Sequence, residues 1–154
     1  MMESTNQIRE MLTNAIFEVF EKMFFIFAEP IRDFGADYQL RANLHFSGPM
    51  KGMMRLSMNA GLAKLMATNM LNLQNAELTT LMISDCVKES LNMICGNFVR
   101  RVDPEHVFQL SIPALDLLSA RCGDMDTQSG PALRVTFDTE AGTFEIMMTA
   151  PGCM

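Results

Sequence analysis

The chain has 154 residues, of which 49% are hydrophobic and 19% are charged, and it carries a formal charge of −6. Its length and apolar content predict one folded domain over residues 1–154, because a chain of this size can bury a single core that offsets the entropy of ordering. The negative charge, with no basic run longer than Arg100-Arg101, argues against nucleic acid as a partner.

The first predicted element is a long helix. Apolar residues recur at helical spacing over residues 4–27, and Ser4 or Thr5 can cap the start of this helix. Pro30 and Gly35 disfavour its continuation. We therefore expect the first helix to end before Pro30.

A hairpin and a shorter helix are predicted next. Apolar residues alternate over residues 38–46 and again over 52–58, and the turn-forming residues 47–49 separate the two runs. Residues 61–73 return to helical spacing, and Asn59 stands at the position of an N-cap.

The longest periodic segment covers residues 77–102, where Asp103 and Pro104 stop it. Gly142 marks the last turn of the chain. The strands predicted after the long helix lie near residues 106–112, 115–122, 131–138 and 143–149.

The order of these elements suggests an internal repeat. A helix, two strands and a helix are followed by a helix and several strands, which indicates two related halves of about residues 1–75 and 76–154. We therefore expect an α+β fold in which both halves form one mostly antiparallel sheet, with the helices packed on one face.

The two sides of the long helix differ in chemistry. At about 100° per residue, one side gathers a core-facing stripe made of Ile83, Val87, Leu91, Ile94 and Phe98. The opposite side carries a polar line, about 16 Å long, made of Asp85, Glu89, Asn92 and Gly96. Most polar helix faces are only solvated, but asparagine and glycine are weak helix formers, so their presence favours a surface selected for binding.

The polar line suits the hydrolysis of an acyl phosphate. The carboxamide of Asn92 donates and accepts hydrogen bonds and carries no charge that repels phosphoryl oxygens, so it can hold a water in line for attack. Glu89, one turn away, can pair with a lysine beside a partner's phosphorylation site. Asp85 extends this acidic edge.

The run from Asp85 to Asn97 resembles the helix signature of the CheC/CheX/FliY chemotaxis phosphatases, and CheX above all: Asp or Ser, then Glu, Asn and Gly. The resemblance implies a hydrolase that removes the phosphoryl group from the aspartate of a CheY-like response regulator. It implies catalytic roles for Glu89, which meets the regulator's lysine, and Asn92, which orients the water. Asp85 and Gly96 would bind the partner, and Pro113 resembles the proline that closes the family pattern.

The same resemblance implies further properties of the chain. It implies that the chain binds no cofactor and no metal itself, since the regulator would supply Mg²⁺, and that two copies form a homodimer. The four cysteines lack paired spacing, which indicates reduced thiols. We expect no secretory signal and no membrane association, because the longest aromatic-rich apolar run, residues 23–28, is far shorter than the ~20 residues of a bilayer span. These features predict a cytoplasmic protein.

The first helix resembles a degenerate copy of the long one. The carboxylate of Glu21 would repel phosphoryl oxygens and the ring of Phe25 would obstruct docking, so we predict one site per chain. Alignment on the two glutamates pairs Asn14 with Asp85, Glu18 with Glu89, Glu21 with Asn92, and Phe25 with Gly96.

Parts of the sequence also fit other kinds of site and function. Cys95 and Arg101 fit the Cys-x5-Arg pattern of cysteine phosphatases, but they lie in a predicted helix whose N–H groups are already bonded to i−4 carbonyls. His45 and His106 have no Cys or His at metal-ligand spacing. A noncatalytic adaptor that binds a regulator or a flagellar switch component through the polar line stays open, as does a structural dimer formed by sheet extension.

Overall fold

The computed structural model describes residues 5–32, 37–73, 77–117 and 133–149. Within these ranges the α-helices are α1 (Thr5–Met23), α2 (Ala60–Leu71) and α3 (Thr80–Val102). The strands are β1 (Glu29–Ile31), β2 (Leu40–Ser47), β3 (Gly52–Met58), β4 (Gln109–Leu110), β5 (Ala114–Leu117), β6 (Leu133–Thr139) and β7 (Gly142–Thr149).

The strands form one sheet in the order β1-β6-β7-β3-β2-β4, and β5 also pairs with β2. Every pairing among these described strands is antiparallel. The predicted hairpin is the pair β2 and β3, which lies beside the pair β6 and β7 at the middle of the sheet. The expected mostly antiparallel α+β sheet is therefore confirmed.

The core lies between the helices and one face of the sheet. Alternate residues of β2, from Leu40 to Phe46, are buried in it. Phe20 of α1 stacks on Phe144 of β7 with ring centroids 4.4 Å apart, and Phe98 of α3 meets the edge of Phe46 at 6.5 Å. The opposite face of the sheet carries polar pairs such as Arg55 and Asn43, joined by a hydrogen bond of 2.8 Å. This asymmetry confirms the packing of helices on one face.

The first helix is shorter than the predicted 4–27. It ends at Met23 because Phe25 has a left-handed backbone (φ 55°), which a right-handed helix cannot contain. The N–H of Ile26 then donates to the carbonyl of Phe20 at 3.0 Å. Residues 24, 26 and 28 are buried while 25 and 27 are exposed, so the apolar run continues as an extended segment. Apolar spacing alone does not distinguish so short an extended segment from a last helical turn.

The short strands at the sheet edges also differ from the prediction. Strand β1 was not predicted, because three residues around Pro30 are too short a pattern to indicate a strand. Its place at the sheet edge tolerates the N–H that Pro30 lacks. Of the strand predicted over 106–112, only β4 forms. The strand predicted over 115–122 begins as β5 at Ala114, and its part beyond Leu117 lies outside the described residues, as do residues 131 and 132.

The cap of α2 works differently from the prediction. Asn59 holds the N-cap position, but its side chain makes no capping hydrogen bond. Its Oδ1 instead accepts a hydrogen bond from the N–H of Thr143 at 2.7 Å. A Cβ at Gly142 (φ 138°) would lie 2.6 Å from that oxygen, so there is no room for a side chain at this position. Asn59 thus joins the start of α2 to β7. The long helix α3 is capped by Thr79, whose hydroxyl accepts from the N–H of Met82 at 3.1 Å.

Candidate functional site

The polar line predicted on the long helix lies on the outward side of α3. Asp85 and Glu89 are exposed, while Asn92 and Gly96 are half-buried. The stripe opposite packs into the core: Val87, Leu91, Ile94 and Phe98 are fully buried and Ile83 is half-buried. The structure therefore brings the four candidate residues together on one accessible ridge.

An open groove of about 420 Å³ runs beside this ridge, and we call it the amide groove. One wall comes from α3 and the other from β4 and the residues that follow it. The residues lining it are Asp85, Lys88, Glu89, Asn92, Leu110, Ser111, Ile112 and Pro113. The candidate acid and amide thus face a space that can admit part of another molecule.

The second wall of the amide groove is anchored to the sheet. The N–H of Ser111 donates to the carbonyl of His45 at 2.8 Å, and the Ser111 hydroxyl accepts from the N–H of His45 at 2.9 Å. The next side chain, Ile112, is 89% exposed, and Pro113 closes the wall. Family resemblance pointed to Pro113, but nothing in the sequence indicated that Ser111 and Ile112 would stand opposite Glu89, because this wall depends on a pairing across 66 residues.

Glu89 and Asn92 are available for intermolecular contacts. Neither side chain makes a hydrogen bond or an ion pair with any described residue. Asp85 lies 3.8 Å from Lys88, a surface pair of little energetic weight. A side-chain amide and a carboxylate one turn apart, both unengaged, can accept and donate hydrogen bonds to a ligand without breaking internal ones.

Gly96 has no packing reason to be a glycine. A Cβ built at this position would meet nothing within 4 Å. An interior helical glycine costs about 1 kcal/mol relative to alanine, so the fold alone would favour alanine here. The open space over Gly96 allows another chain to approach the helix backbone closely.

A second groove, which we call the inter-helix groove, lies on the other side of Asn92, between α1 and α3. It shares Asn92 and Leu110 with the amide groove. The other residues lining it are Glu18, Val19, Lys22 and Met23 of α1 and Met93, Gly96, Asn97 and Arg100 of α3. The candidate amide therefore stands on the ridge between two grooves of different charge.

The structure argues against the cysteine phosphatase interpretation. Cys95 is fully buried, and burial raises the pKa of its thiol to about 12, the opposite of what a nucleophilic thiolate requires. Arg101 is engaged by Glu18 at 2.5 Å. Burial, with a smaller contribution from the charge of Glu89, likewise raises the pKa of Cys86 to about 12, while Cys122 and Cys153 lie outside the described residues.

Two further properties concern only the part of the chain that the structure describes. It contains no group of three His, Cys, Asp or Glu residues arranged to hold a metal ion. None of its helices combines the length and apolar character needed to cross a membrane.

The fold is similar to that of several solved proteins. The CheX chemotaxis protein of Vibrio vulnificus has a TM-score of 0.79 at 18% identity, over 94% of this chain and 99% of its own. The CheX of a CheX–CheY–BeF3–Mg²⁺ complex from Borrelia burgdorferi has a TM-score of 0.73 at 19% identity, over 92% of this chain and 96% of its own. Thermotoga maritima FliY has a TM-score of 0.61 at 14% identity, over 92% of this chain and 85% of its own. At these identities the likeness shows the fold.

The sequence comparisons supply the family. No curated protein matches the chain. The model of the family described as chemotaxis phosphatase CheX matches residues 40–120, which are more than half of the chain and include all of α3 with both walls of the amide groove. The resemblance seen in the helix signature is thus confirmed, and the chain belongs to the CheX chemotaxis phosphatase family.

Proposed function

We propose that this chain is a cytoplasmic hydrolase that removes the phosphoryl group from the aspartate of a CheY-like response regulator. The observation that carries the proposal is the pair Glu89 and Asn92, which project side by side into the amide groove with no hydrogen bond to any described residue. Membership of the CheX family supports it. So does the existence of a CheX–CheY complex from Borrelia burgdorferi whose fold is similar to that of this chain.

In the proposed step a water attacks the phosphorus of the regulator's aspartyl phosphate. The bond between phosphorus and the aspartate oxygen breaks, which leaves the free carboxylate and inorganic phosphate, and the proton of the water passes to the phosphate. The side chain of Asn92 holds the water in line by accepting one of its hydrogen bonds. Mg²⁺ and the reacting aspartate belong to the regulator, so this chain contributes positioning alone.

Glu89 has a docking role in the proposal. Its exposed carboxylate, one helical turn from Asn92, pairs with a lysine beside the regulator's phosphorylation site, and this contact fixes the distance from the phosphoryl group to the Asn92 amide. Asp85 extends the negative end of the ridge. Gly96, with open space above it, lets the regulator's backbone come close to α3.

The test is phosphate release from a phosphorylated CheY-like regulator at several regulator concentrations. Asn92→Ala should lower kcat by about 10² to 10³, the usual loss on removing one positioning donor or acceptor, while KM changes little. Glu89→Ala should raise KM as well as lower kcat/KM. Asn14→Ala, the same change at an exposed asparagine of α1 outside both grooves, serves as a control for a general asparagine effect. Full activity of Asn92→Ala would refute the mechanism.

The same assay tests the noncatalytic alternative, which the accessible ridge supports equally well. A wild-type protein that binds cognate regulators but hydrolyses none of them would be an adaptor for a regulator or a flagellar switch component. Binding that is lost in Glu89→Ala would then still assign the ridge as the contact surface.

The homodimer implied by the family resemblance belongs to the same proposal. The sheet has β1 at one edge and β4 and β5 at the other, and edge strands present free backbone groups that can pair with another copy. Light scattering coupled to size-exclusion chromatography would measure the mass in solution. A monomer at all concentrations would refute the dimer without affecting the proposed chemistry.

A further inference from the structure

The inter-helix groove carries an excess of positive charge in a chain whose formal charge is −6. Lys22 and Arg101 both pair with the carboxylate of Glu18, at 3.4 Å and 2.5 Å. Lys22 and Arg100 line the groove together with Glu18, so two cations accompany one anion there, and Arg101 pairs with that anion from outside the lining residues. Glu21, the neighbouring carboxylate of α1, is not among the residues that line the groove.

Arg100 is the unengaged cation of this group. It is exposed, and it forms no hydrogen bond or ion pair with any described residue. It lies one turn beyond Gly96 and so continues the polar line along α3. The ridge therefore runs from an acidic end at Asp85 and Glu89, through Asn92 and Gly96, to a basic end at Arg100.

The spacing decides what the basic end can meet. Arg100 follows Asn92 by eight residues, about 12 Å along the helix at ~1.5 Å per residue. Arg100 therefore stands about two turns from a phosphoryl group held at Asn92, on the side away from Glu89. The charge at this end has to be met by groups on the partner's surface beside its phosphorylated cleft, and carboxylates are the groups that favour a guanidinium and an ammonium side by side.

We propose that Lys22 and Arg100 form a second docking contact, which binds a carboxylate-bearing patch on the response regulator next to its phosphorylated cleft. This inference rests on the proposed function for the identity of the partner. The opposite charges at the two ends of the ridge allow one orientation of the regulator and disfavour the reversed one, because reversal places like charges together at both ends. The basic end also offsets the repulsion that an acidic chain would exert on an acidic partner surface.

The experiment measures the affinity for a CheY-like regulator activated with beryllofluoride and Mg²⁺, by calorimetry at low and high NaCl, beside the kinetics of phosphate release. Arg100→Glu should raise both Kd and KM by about threefold to tenfold, and Lys22→Gln in the same chain should raise them further. Arg100→Lys should retain the affinity. Lys64→Glu, which changes the net charge equally on exposed α2, should leave Kd and KM unchanged.

The readouts separate this inference from the proposed function and from a structural role of Arg100 in the last turn of α3. A Kd for Arg100→Glu equal to that for Lys64→Glu, with wild-type hydrolysis intact, overturns the inference and leaves the proposed function standing. A loss of affinity that disappears at high NaCl, with an unchanged thermal midpoint, supports it. Charge-dependent binding without hydrolysis in the wild type supports the docking contact and refutes the hydrolase. An absence of binding by the wild type overturns both.

Discussion

Helices α1 and α3 pack against each other and on the same face of the sheet, yet the two glutamates that the sequence alignment pairs have opposite environments. Glu18 of α1 is held by Lys22 and Arg101, so it links the two helices. Glu89 of α3, its counterpart in the alignment, binds no described residue and faces the amide groove. The difference lies in the neighbours of each carboxylate rather than in the carboxylate itself.

The prediction of one site per chain rests in part on Phe25, and the structure corrects that part of the reasoning. Phe25 was expected to block docking from within the first helix. Phe25 lies beyond the end of α1, is 74% exposed and has a left-handed backbone. It therefore does not occupy a place on α1 that corresponds to the place of Gly96 on α3. The observed contrast with α3 lies instead in the engagement of Glu18 with the basic side chains around it, and one site per chain stays a prediction.

The largest expected effect concerns the buried faces of α1 and α3, which pack on the sheet in the same way. Phe20 and Phe98 are both fully buried, and each meets a ring of the sheet. Phe20→Ala and Phe98→Ala should each lower the free energy of unfolding by about 3 to 5 kcal/mol, measured by denaturant titration. Phe27→Ala, at a ring that is 72% exposed, is the control and should cost much less. A small loss in only one of the two core variants would mean that the helices do not share the core equally.

Two smaller and opposite effects are expected on the outward side of α3, a gain in stability and a loss of regulator binding. Gly96→Ala should raise the free energy of unfolding by about 0.5 to 1 kcal/mol, since the added methyl group meets no atom within 4 Å and the helix gains propensity. The same change should weaken regulator binding, because the methyl group occupies the surface that the partner approaches. Gly61→Ala, near the start of α2 and outside both grooves, is the control for binding. Stabilisation without loss of affinity would remove Gly96 from the proposed interface.

The smallest expected effect concerns the engaged glutamate of α1. The amide of Asn97, the ammonium of Lys22 and the guanidinium of Arg101 hold the pKa of Glu18 below its usual value of 4.5. Because the folded pKa is lowered, the stabilisation by Glu18 is present above the unfolded pKa and is lost as the pH falls through the folded pKa. A carboxyl NMR titration should show the Glu18 pKa rise towards 4.5 in Asn97→Ala and stay constant in Lys64→Ala. An unchanged Glu18 pKa in Asn97→Ala would argue against this account of its neighbours.

Sequence patterns predicted those parts of the molecule whose signals are local. The two faces of α3 follow from helical periodicity, and the hairpin of β2 and β3 follows from alternation around a turn. The second wall of the amide groove could not be predicted in this way, because Ser111 is positioned by His45 on a distant strand. The free state of Glu89 and the engaged state of Glu18 were equally hidden, since Arg101 lies 83 residues from Glu18.

The sheet order has a consequence for folding. The first strand of the N-terminal half, β1, pairs with β6 of the C-terminal half, and β5 of the C-terminal half pairs with β2. Neither half can therefore complete its own sheet. Separately expressed halves would each expose a strand edge whose backbone N–H and C=O groups lack partners, and each half would need the other in order to fold. Formation of the native state then requires chain closures about a hundred residues long, which makes slow and cooperative folding the expected behaviour.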